Sequence, residues 1–282
     1  MRIAVASGKG GTGKTTVATN LVSVIASHDD TVAYVDCDVE EPNGHIFLKP
    51  VVEKSDGAVM PYPEVNNSLC VSCGKCAEIC QYRAIVMLGD DPFVTPEMCH
   101  ACGGCWLVCP VDAITPVERE IGGIETGWSS GIRFIHGKLA IGQIMSPPLI
   151  RMVKNRIPED SIAVIDCPPG TSCPVITAVQ GADYVLLVTE PTPFGLHDLK
   201  LAIEVVRKLD IPHGVFINRS DIGNQETERY CEQRSIEILE QFPDNRAVAE
   251  AYSKGELASD ALPEVRELYE SLYDKLKRKI KS

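Results

Sequence analysis

A glycine-rich loop near the N-terminus constrains the fold of this chain more than any other feature. Residues Gly8 to Thr15 read G-K-G-G-T-G-K-T, which is the pattern G-x-x-x-x-G-K-[ST] of a phosphate-binding loop. The apolar run 3–6 before it predicts a buried strand, and the apolar spacing over 17–25 predicts a helix. This strand–loop–helix order predicts an α/β fold with a mostly parallel sheet flanked by helices.

The same loop supplies candidate nucleotide-binding residues. Its backbone N–H groups would wrap the β-phosphate, and the N-terminus of the following helix adds a partial positive charge. Lys14 would reach the β- and γ-phosphate oxygens, and the Thr15 hydroxyl would bind Mg²⁺. The predicted cofactor-binding residues of the loop are Gly8, Gly10, Gly11, Thr12, Gly13, Lys14, Thr15 and Thr16.

Three acidic residues follow strands that we expect to end beside this loop. Asp36 and Asp38 come after the apolar run 31–35, and Asp166 ends the apolar run 162–166. Acids at strand carboxyl ends beside a phosphate-binding loop lie where Mg²⁺ and the attacking water must be held. The alternation then continues with strands over 184–189 and 214–218, separated by an amphipathic helix over about 195–209.

Eight of the twelve cysteines form two runs with identical spacing, C-x2-C-x2-C-x3-C. The first run extends from Cys70 to Cys80, and the second extends from Cys99 to Cys109 and is followed by Pro110. This is the bacterial ferredoxin spacing, in which the fourth cysteine of each run ligates the other cluster. The predicted ligand sets are Cys70, Cys73, Cys76 and Cys109 for one [4Fe-4S] cluster, and Cys99, Cys102, Cys105 and Cys80 for the second.

The two runs are an internal repeat with a period of 29 residues, and they resemble the dicluster ferredoxins over about residues 64–117. Gln81 stands where the second run has Pro110, a departure expected to change one cluster potential without removing a ligand. Zinc knuckles and a purely architectural module are the alternatives, but zinc sites rarely need eight cysteines in interleaved spacing. Electron-carrying and purely structural roles of the clusters both stay open.

The segment K-G-G-T-G-K-T, from Lys9 to Thr15, resembles the deviant Walker A motif of MinD/ParA/Mrp-type ATPases. The resemblance covers residues 1–60 and 130–260, and more narrowly the chain resembles MinD-type ATPases that carry an inserted ferredoxin domain. It implies ATP and Mg²⁺ as cofactors and a homodimer through the ATP sites. The nitrogenase iron protein, a more distant relative, implies ATP-gated electron transfer.

The resemblance also implies roles for individual residues. Lys9 would cross the dimer interface to the phosphates bound by the other subunit, and Asp38 would position the attacking water. Lys9, Lys14 and Asp38 are therefore the expected catalytic residues. The expected Mg²⁺ residues are Thr15, Asp36 and Asp166, while Asn218 would read the adenine edge and Asn43 would lie on the phosphate side.

The predicted organisation is a P-loop ATPase domain over 1–60 and 118–282, with an inserted α+β ferredoxin-like domain over 61–117. Pro61, Pro63 and Pro116 flank the insert as expected stiff connectors. Because the insert follows the loop that contains Asp38, nucleotide-dependent changes are expected to reach the clusters.

Three functions follow from these patterns as hypotheses. The first is an ATPase that couples nucleotide state to electron transfer toward a partner protein; the others are an iron–sulfur cluster or metal-centre carrier and a ParA/MinD-type positioning ATPase.

A formal net charge of −12 and an isoelectric point near 5.0 argue against nucleic acid as the main partner. The sequence has no apolar run long enough to span a membrane and no signal-peptide pattern, so a cytoplasmic location is expected.

The remaining candidates have weaker patterns. Cys37 and Cys167 are expected to be small buried side chains, whereas Cys173 is a candidate for bridging a further cluster between subunits. The C-terminal helix, over 264–281, is expected to dock on the domain rather than bind membrane, because its acidic start and basic end suit the helix dipole. His45, His136 and His197 have no ligand spacing and receive no role.

Overall fold

The computed structural model describes residues 1–29 and 31–281. The strands are β1 Arg2–Ala6, β2 Val32–Asp36, β3 Val51–Val65, β4 Ile85–Leu88, β5 Asp91–Val94, β6 Ile114–Ser129, β7 Ile132–Leu139, β8 Ile162–Asp166, β9 Tyr184–Thr189, β10 His213–Asn218 and β11 Ile238–Phe242. The helices are α1 Lys14–Ala26, α2 Gly44–Leu48, α3 Lys75–Ile79, α4 Gly104–Leu107, α5 Pro147–Lys154, α6 Cys173–Val179, α7 Pro193–Lys208, α8 Glu226–Gln233, α9 Arg246–Ser253, α10 Ala258–Ala261 and α11 Pro263–Lys281.

Nine strands form one sheet in the order β11-β10-β9-β1-β8-β2-β7-β6-β3. All neighbours from β11 to β7 are parallel, whereas β6 and β3 are antiparallel additions at one end. The central strands are apolar along their whole length because helices cover both faces of the sheet. In β1, for example, Ile3, Ala4 and Val5 are all fully buried. The predicted mostly parallel α/β fold is therefore confirmed.

The strands β3 and β6 form a long two-stranded ribbon at the end of the sheet. Their pairing runs from Val51 opposite Trp128 to Val65 opposite Ile114. Residues 66–113, which include both cysteine runs, lie between the two ends of this ribbon and contain α3, the β4–β5 hairpin and α4. The ribbon therefore joins the cysteine segment to the rest of the chain.

The prolines expected as stiff connectors lie inside this ribbon. Pro61 and Pro63 are part of β3, and Pro116 lies in β6 directly opposite Pro63. Proline is tolerated here because each strand of a two-stranded ribbon leaves one edge without a ladder partner. The three prolines are therefore part of the paired strands that join the cysteine segment to the rest of the chain.

The C-terminal helix α11 docks on the α1 side of the sheet. Its residues Val265, Tyr269, Leu272 and Leu276 are buried in the same apolar cluster as α1. The predicted docking of this helix is confirmed. Within residues 1–29 and 31–281, every helix lacks either the length or the apolar character required to span a lipid bilayer.

Candidate functional site

A cavity of about 420 Å³ opens where the phosphate-binding loop meets the carboxyl ends of the parallel strands. This volume lies within the range of roughly 300–1,000 Å³ that is typical of small-molecule sites. The sequence-predicted residues that line the cavity are Gly10, Gly11, Gly13, Lys14, Thr15, Thr16, Asp38, Asn43 and Asn218. The structure thus brings most of the predicted nucleotide residues together around one space.

Asn218 braces the phosphate-binding loop. Its side-chain Nδ2 donates a hydrogen bond of 2.9 Å to the Thr12 carbonyl oxygen. Gly13 adopts φ +89°, and a Cβ there would lie 2.4 Å from the same Asn218 nitrogen. Glycine is required at this position because it combines a left-handed backbone with the close approach of a neighbouring side chain.

Lys14 is buried and forms an ion pair with Asp166. Its Nζ lies 2.6 Å from Asp166 Oδ1, and the side chains are 8% and 1% exposed. Burial lowers the pKa of Lys14, but the nearby acids, above all Asp166, have a larger opposite effect. The pKa of Lys14 is therefore raised above its ordinary value. The Tyr34 hydroxyl donates to Asp166 Oδ2 at 2.9 Å. Both oxygens of this carboxylate are therefore held.

Asp36 connects the phosphate site to the segment that leads into the ribbon. Its Oδ1 accepts a hydrogen bond from the Asp38 N–H at 3.1 Å, and its Oδ2 accepts from the Gly44 N–H at 3.0 Å. Burial and the nearby Asp166 raise the pKa of Asp36 to about 8. Burial raises the pKa of Asp38 to about 6, although Lys14 opposes this shift. Both acids thus lie beside Lys14 with raised pKa values, and Asp36 is held by two backbone N–H groups.

Lys9 lies beside an acid that the sequence analysis missed. Its Nζ is 3.9 Å from Oε2 of Glu190, and the Lys9 side chain is 33% exposed. Arg219 donates to the other oxygen of Glu190 at 3.0 Å. Glu190 directly follows β9 and Arg219 directly follows β10, so the rule that functional polar residues follow parallel strands would have identified both.

The far end of the cavity was also missed. It is lined by residues from β11, α9 and α11 and the segments between them, namely Phe242, Pro243, Asp244, Asn245, Val248, Ala249, Tyr252, Val265 and Tyr269. Aromatic and aliphatic side chains at the end opposite the phosphate loop are suited to a flat heterocyclic group. No local motif indicates this wall, because its residues are separated in the sequence and meet only in the folded chain.

The cysteines of the first predicted set share one cavity. Cys70, Cys73 and Cys76 of the first run line it together with Cys109 of the second run. The remaining lining residues are Val71, Gly74, Met87, Pro92, Val111, Ala113 and Ile114. The Ala113 N–H donates to the Cys109 Sγ at 3.2 Å. The fold thus brings the fourth cysteine of one run to the first three of the other.

The second predicted set does not share one cavity among the described residues. Cys105 is buried in an apolar cluster against which Cys80 packs, while Cys102 is exposed. Cys99 also lines a small cavity against the middle of the ribbon. Within the described residues, no three or more cysteine, histidine or carboxylate side chains are grouped so as to hold a single metal ion.

The cysteines outside the two runs occupy contrasting positions. Cys37, Cys167 and Cys231 are fully buried, which confirms the expectation for the first two. Cys173 is exposed at the first residue of α6.

Two of the histidines without ligand spacing meet in the fold. The rings of His45 and His136 lie 5.8 Å apart, and His136 Nε2 is 2.9 Å from Glu125 Oε2. The sequence could not indicate this contact, because α2 and β7 are far apart along the chain.

The fold and the cavity define a P-loop protein of the α/β class with a nucleotide-binding site at the carboxyl edge of its sheet. The chain belongs to the CobQ/CobB/MinD/ParA nucleotide binding domain family, which matches residues 3–258.

Relatives and structural neighbours agree with this family. An uncharacterized protein of Methanocaldococcus jannaschii is 33% identical over 98% of this chain and 96% of its own length. The iron-sulfur cluster carrier protein of Pyrococcus furiosus is 24% identical over 90% of this chain and 77% of its own length.

Solved structures share the fold at low identity. The cell division ATPase MinD of Pyrococcus furiosus has a TM-score of 0.58 at 20% identity and covers 98% of both chains. The septum site-determining protein MinD of Pyrococcus horikoshii, solved in complex with Mg-ADP, has a TM-score of 0.58 at 20% identity and covers 98% of this chain and 95% of its own.

Proposed function

We propose that this chain is a MinD/ParA-type ATPase whose nucleotide state controls electron transfer through two [4Fe-4S] clusters to a partner protein. One observation carries the proposal: Cys109 lies in the same cavity as Cys70, Cys73 and Cys76. A cysteine from the distant run at this position is what two interleaved clusters require.

The residues around that cavity fit the proposed group. Four cysteines line one space whose other lining residues are apolar or glycine. Thiolate sulfur is the ligand that iron–sulfur clusters use, and backbone N–H groups aimed at sulfur stabilise its negative charge. When bound, each cluster would supply a site that accepts and returns one electron. The proposed cluster domain is residues 61–117, with the ribbon as its stem.

In the ATPase domain, proposed as residues 1–60 and 118–282, the chain's own residues would bind and orient Mg-ATP. The loop N–H groups and Lys14 would hold the phosphates, Thr15 would bind Mg²⁺, and Asp36 and Asp166 would orient its waters. Asp38 would position the attacking water. Lys9, partly exposed beside Glu190, would reach the nucleotide of a second copy in a homodimer. Asn218 supports the loop and would face the nucleotide from the β10 side.

A direct mechanical path supports coupling between the two parts. The Gly44 N–H that bonds to Asp36 begins α2. The carbonyl oxygen of Leu48, the last residue of α2, accepts a hydrogen bond from the Ser129 hydroxyl at the end of β6. β3 begins three residues after Leu48. Any movement of Asp36 on binding Mg²⁺ would therefore pull on α2 and, through it, on the base of both ribbon strands.

The proposal is tested by the metal content of anaerobically purified protein. We expect about eight irons per chain from two cubane clusters. Cys109→Ser and Cys80→Ser should each impair a different cluster, because each removes the ligand contributed by the opposite run. Cys231→Ala, at a free cysteine outside the runs that has no proposed role, is the matched control and should keep full iron. Zinc in place of iron would contradict the proposal.

A second candidate function is delivery of iron–sulfur clusters to client proteins. The observation that favours it is the name of the Pyrococcus relatives, iron-sulfur cluster carrier protein, together with the exposure of Cys73 and Cys102. Incubation with an apo-ferredoxin separates the two functions. A carrier loses iron to the acceptor, whereas an electron carrier keeps its iron and undergoes reversible reduction.

A further inference from the structure

Three charged side chains follow three neighbouring strands at the carboxyl edge of the sheet. The strands β10, β9 and β1 are adjacent in that order, and Arg219, Glu190 and Lys9 lie within three residues of their ends. Glu190 is therefore placed between the two cations. The Lys9 carbonyl oxygen accepts a hydrogen bond from the Ser7 hydroxyl at 2.7 Å, which fixes the backbone of the loop. A change of partner at Lys9 therefore requires only a movement of its side chain.

The two cations hold Glu190 unequally. Arg219 Nη1 donates to Glu190 Oε1 at 3.0 Å, whereas Lys9 Nζ lies 3.9 Å from Oε2. The Glu190 side chain is only 10% exposed. Removing the last partner of a buried carboxylate is costly, because an unpaired charge is then left out of water. Since Arg219 remains hydrogen-bonded, Lys9 can leave Glu190 without leaving that charge unpaired.

The backbone of Arg219 is adapted to this contact. Arg219 has φ +50°, a left-handed conformation that is uncommon for residues other than glycine. The Ser220 N–H donates to the Phe242 carbonyl oxygen at 2.8 Å and fixes the turn after β10. The Arg219 guanidinium also contacts the exposed Asp244, with Nε 3.4 Å from Oδ1. The guanidinium is thus held beside Glu190 by the turn and by a second acid, and arginine keeps its charge at every working pH.

We propose that Glu190 is a positioning residue that holds Lys9 on its own subunit before dimerisation, and that Arg219 neutralises Glu190 after Lys9 leaves. This inference rests on the proposed function, in which Lys9 reaches the nucleotide of a second copy. Formation of the dimer then breaks two Lys9–Glu190 ion pairs, one in each subunit. The two residues therefore act on dimerisation with opposite sign: Glu190 opposes the release of Lys9, and Arg219 promotes it.

The first test is the dissociation constant of the dimer in saturating Mg-ATP, measured by sedimentation in the Asp38→Ala protein, in which ATP is expected to persist. Glu190→Gln leaves no ion pair to break in either subunit, so it should lower this constant by about 2- to 30-fold. Arg219→Gln should raise it, because Glu190 then depends on Lys9 for its positive partner. Arg219→Lys should restore most of the parent value.

A double variant separates this mechanism from damage to the nucleotide cavity, which Arg219 also lines. Glu190→Gln combined with Arg219→Gln should dimerise as tightly as Glu190→Gln alone, since Arg219 acts through the Glu190 charge. Weaker dimerisation of the double variant than of the parent would overturn the inference. Glu270→Gln and Arg266→Gln each break an ion pair of 3.2 Å on α11. These controls make the same changes in charge and should leave the constant unchanged.

The second test requires neither nucleotide nor dimer. In the nucleotide-free full-length protein, mass spectrometry follows the acetylation of Lys9 by an amine-reactive ester, with the exposed Lys208 as internal reference. Ion pairing stabilises the protonated, unreactive amine. Glu190→Gln should therefore raise the rate at Lys9 by about 1.5- to 5-fold, and Arg219→Gln should lower it.

Two results would overturn the inference: equal Lys9 rates in the wild type and both variants, or a shift of the dimer constant in the same direction for both. Failure of the parent Asp38→Ala protein to dimerise in Mg-ATP would instead contradict the proposed function. The acetylation rates would then still decide whether Glu190 holds Lys9.

Discussion

Lys14 and Asp166 are joined in a buried ion pair, with Nζ 2.6 Å from Oδ1. The lysine that would bind the terminal phosphates is thus held by a carboxylate that would orient the waters of Mg²⁺. Mg-ATP would replace both partners at once, because phosphate oxygens would pair with the lysine and the waters of Mg²⁺ would bind the carboxylate. Tyr34 keeps the other Asp166 oxygen in position at 2.9 Å, so the exchange requires little rearrangement of Asp166.

The raised pKa values of the site acids predict a pH-dependent affinity for Mg-nucleotide. Burial raises the pKa of Asp38 to about 6 and that of Asp36 to about 8. The proposed Mg²⁺ role of Asp36 requires its carboxylate to be ionised, and ionised Asp38 adds negative charge nearby, so the affinity for Mg-ADP should increase from pH 6 to pH 8. Calorimetric titration at several pH values measures this, and a flat profile would contradict the assigned roles.

The same shifts predict how the stability of the nucleotide-free protein depends on pH. A carboxyl whose pKa is raised on folding binds its proton more tightly in the folded state, so its contribution to stability is lost as pH rises through the folded value. For Asp38 and Asp36 this loss of stability extends over the pH range from about 4 to about 8. The free energy of unfolding should fall across this window, and Asp36→Asn should flatten the decline.

Asp38→Ala should retain ATP binding but lose at least about 100-fold in hydrolysis rate, which is the usual contribution of a group that positions or deprotonates a nucleophile. ATP would then persist and hold the protein as a dimer. Phosphate release and sedimentation measure the two effects. Glu40→Ala, at the exposed acid two residues further on, is the control and should behave as wild type. Normal hydrolysis by the Asp38 variant would show that another residue positions the water.

Lys9→Ala should abolish ATP-dependent dimerisation while leaving the fold intact. The side chain is 33% exposed and its nearest acid is 3.9 Å away, so its loss removes little intrachain energy. Sedimentation velocity with and without Mg-ATP is the measurement, and Lys208→Ala, on the exposed face of α7, is the control. Equal sedimentation of the Lys9 variant and the wild type in the presence of ATP would contradict a dimer formed through this lysine.

Asn20→Ala should destabilise the protein by about 1–3 kcal/mol, since it leaves a buried N–H without a partner. Asn20 Oδ1 accepts from the Ser259 N–H at 2.7 Å, and its Nδ2 donates to the Thr16 carbonyl oxygen at 2.8 Å. The side chain thereby joins α1 to α10. Ser23→Ala removes only an exposed contact of 3.4 Å to Asp260 and should cost less than about 0.5 kcal/mol. Urea denaturation of both variants measures the difference.

Local patterns predicted the parts of the fold that depend on local chemistry. The phosphate-binding loop, the strands ending at Asp36 and Asp166 and the docking of the C-terminal helix follow from apolar periodicity and motif spacing. Glu190, by contrast, meets Lys9 only because β1 and β9 are neighbours in the sheet. Strand order is a property of long-range packing, which no local pattern contains.

The ribbon was missed for a different reason. The prolines at 61, 63 and 116 indicated stiff connectors, but no local pattern showed that the two connecting segments pair with each other as β3 and β6. The sequence repeat predicted two interleaved cysteine sets without indicating what surrounds them. Tyr62 and Arg119, which line the cavity beside Cys99, come from strands outside the repeat.

The central claim is that nucleotide state and cluster oxidation state are coupled. It is tested most directly by the dissociation constant of Mg-ATP for the Asp38→Ala protein, measured with the clusters oxidised and again after reduction. Because linkage is reciprocal, a nucleotide that controls electron transfer must bind the two redox states with different affinity, and coupling of ordinary size gives a difference of about 5-fold or more. The account predicts such a difference. Equal dissociation constants for fully oxidised and fully reduced protein would contradict it.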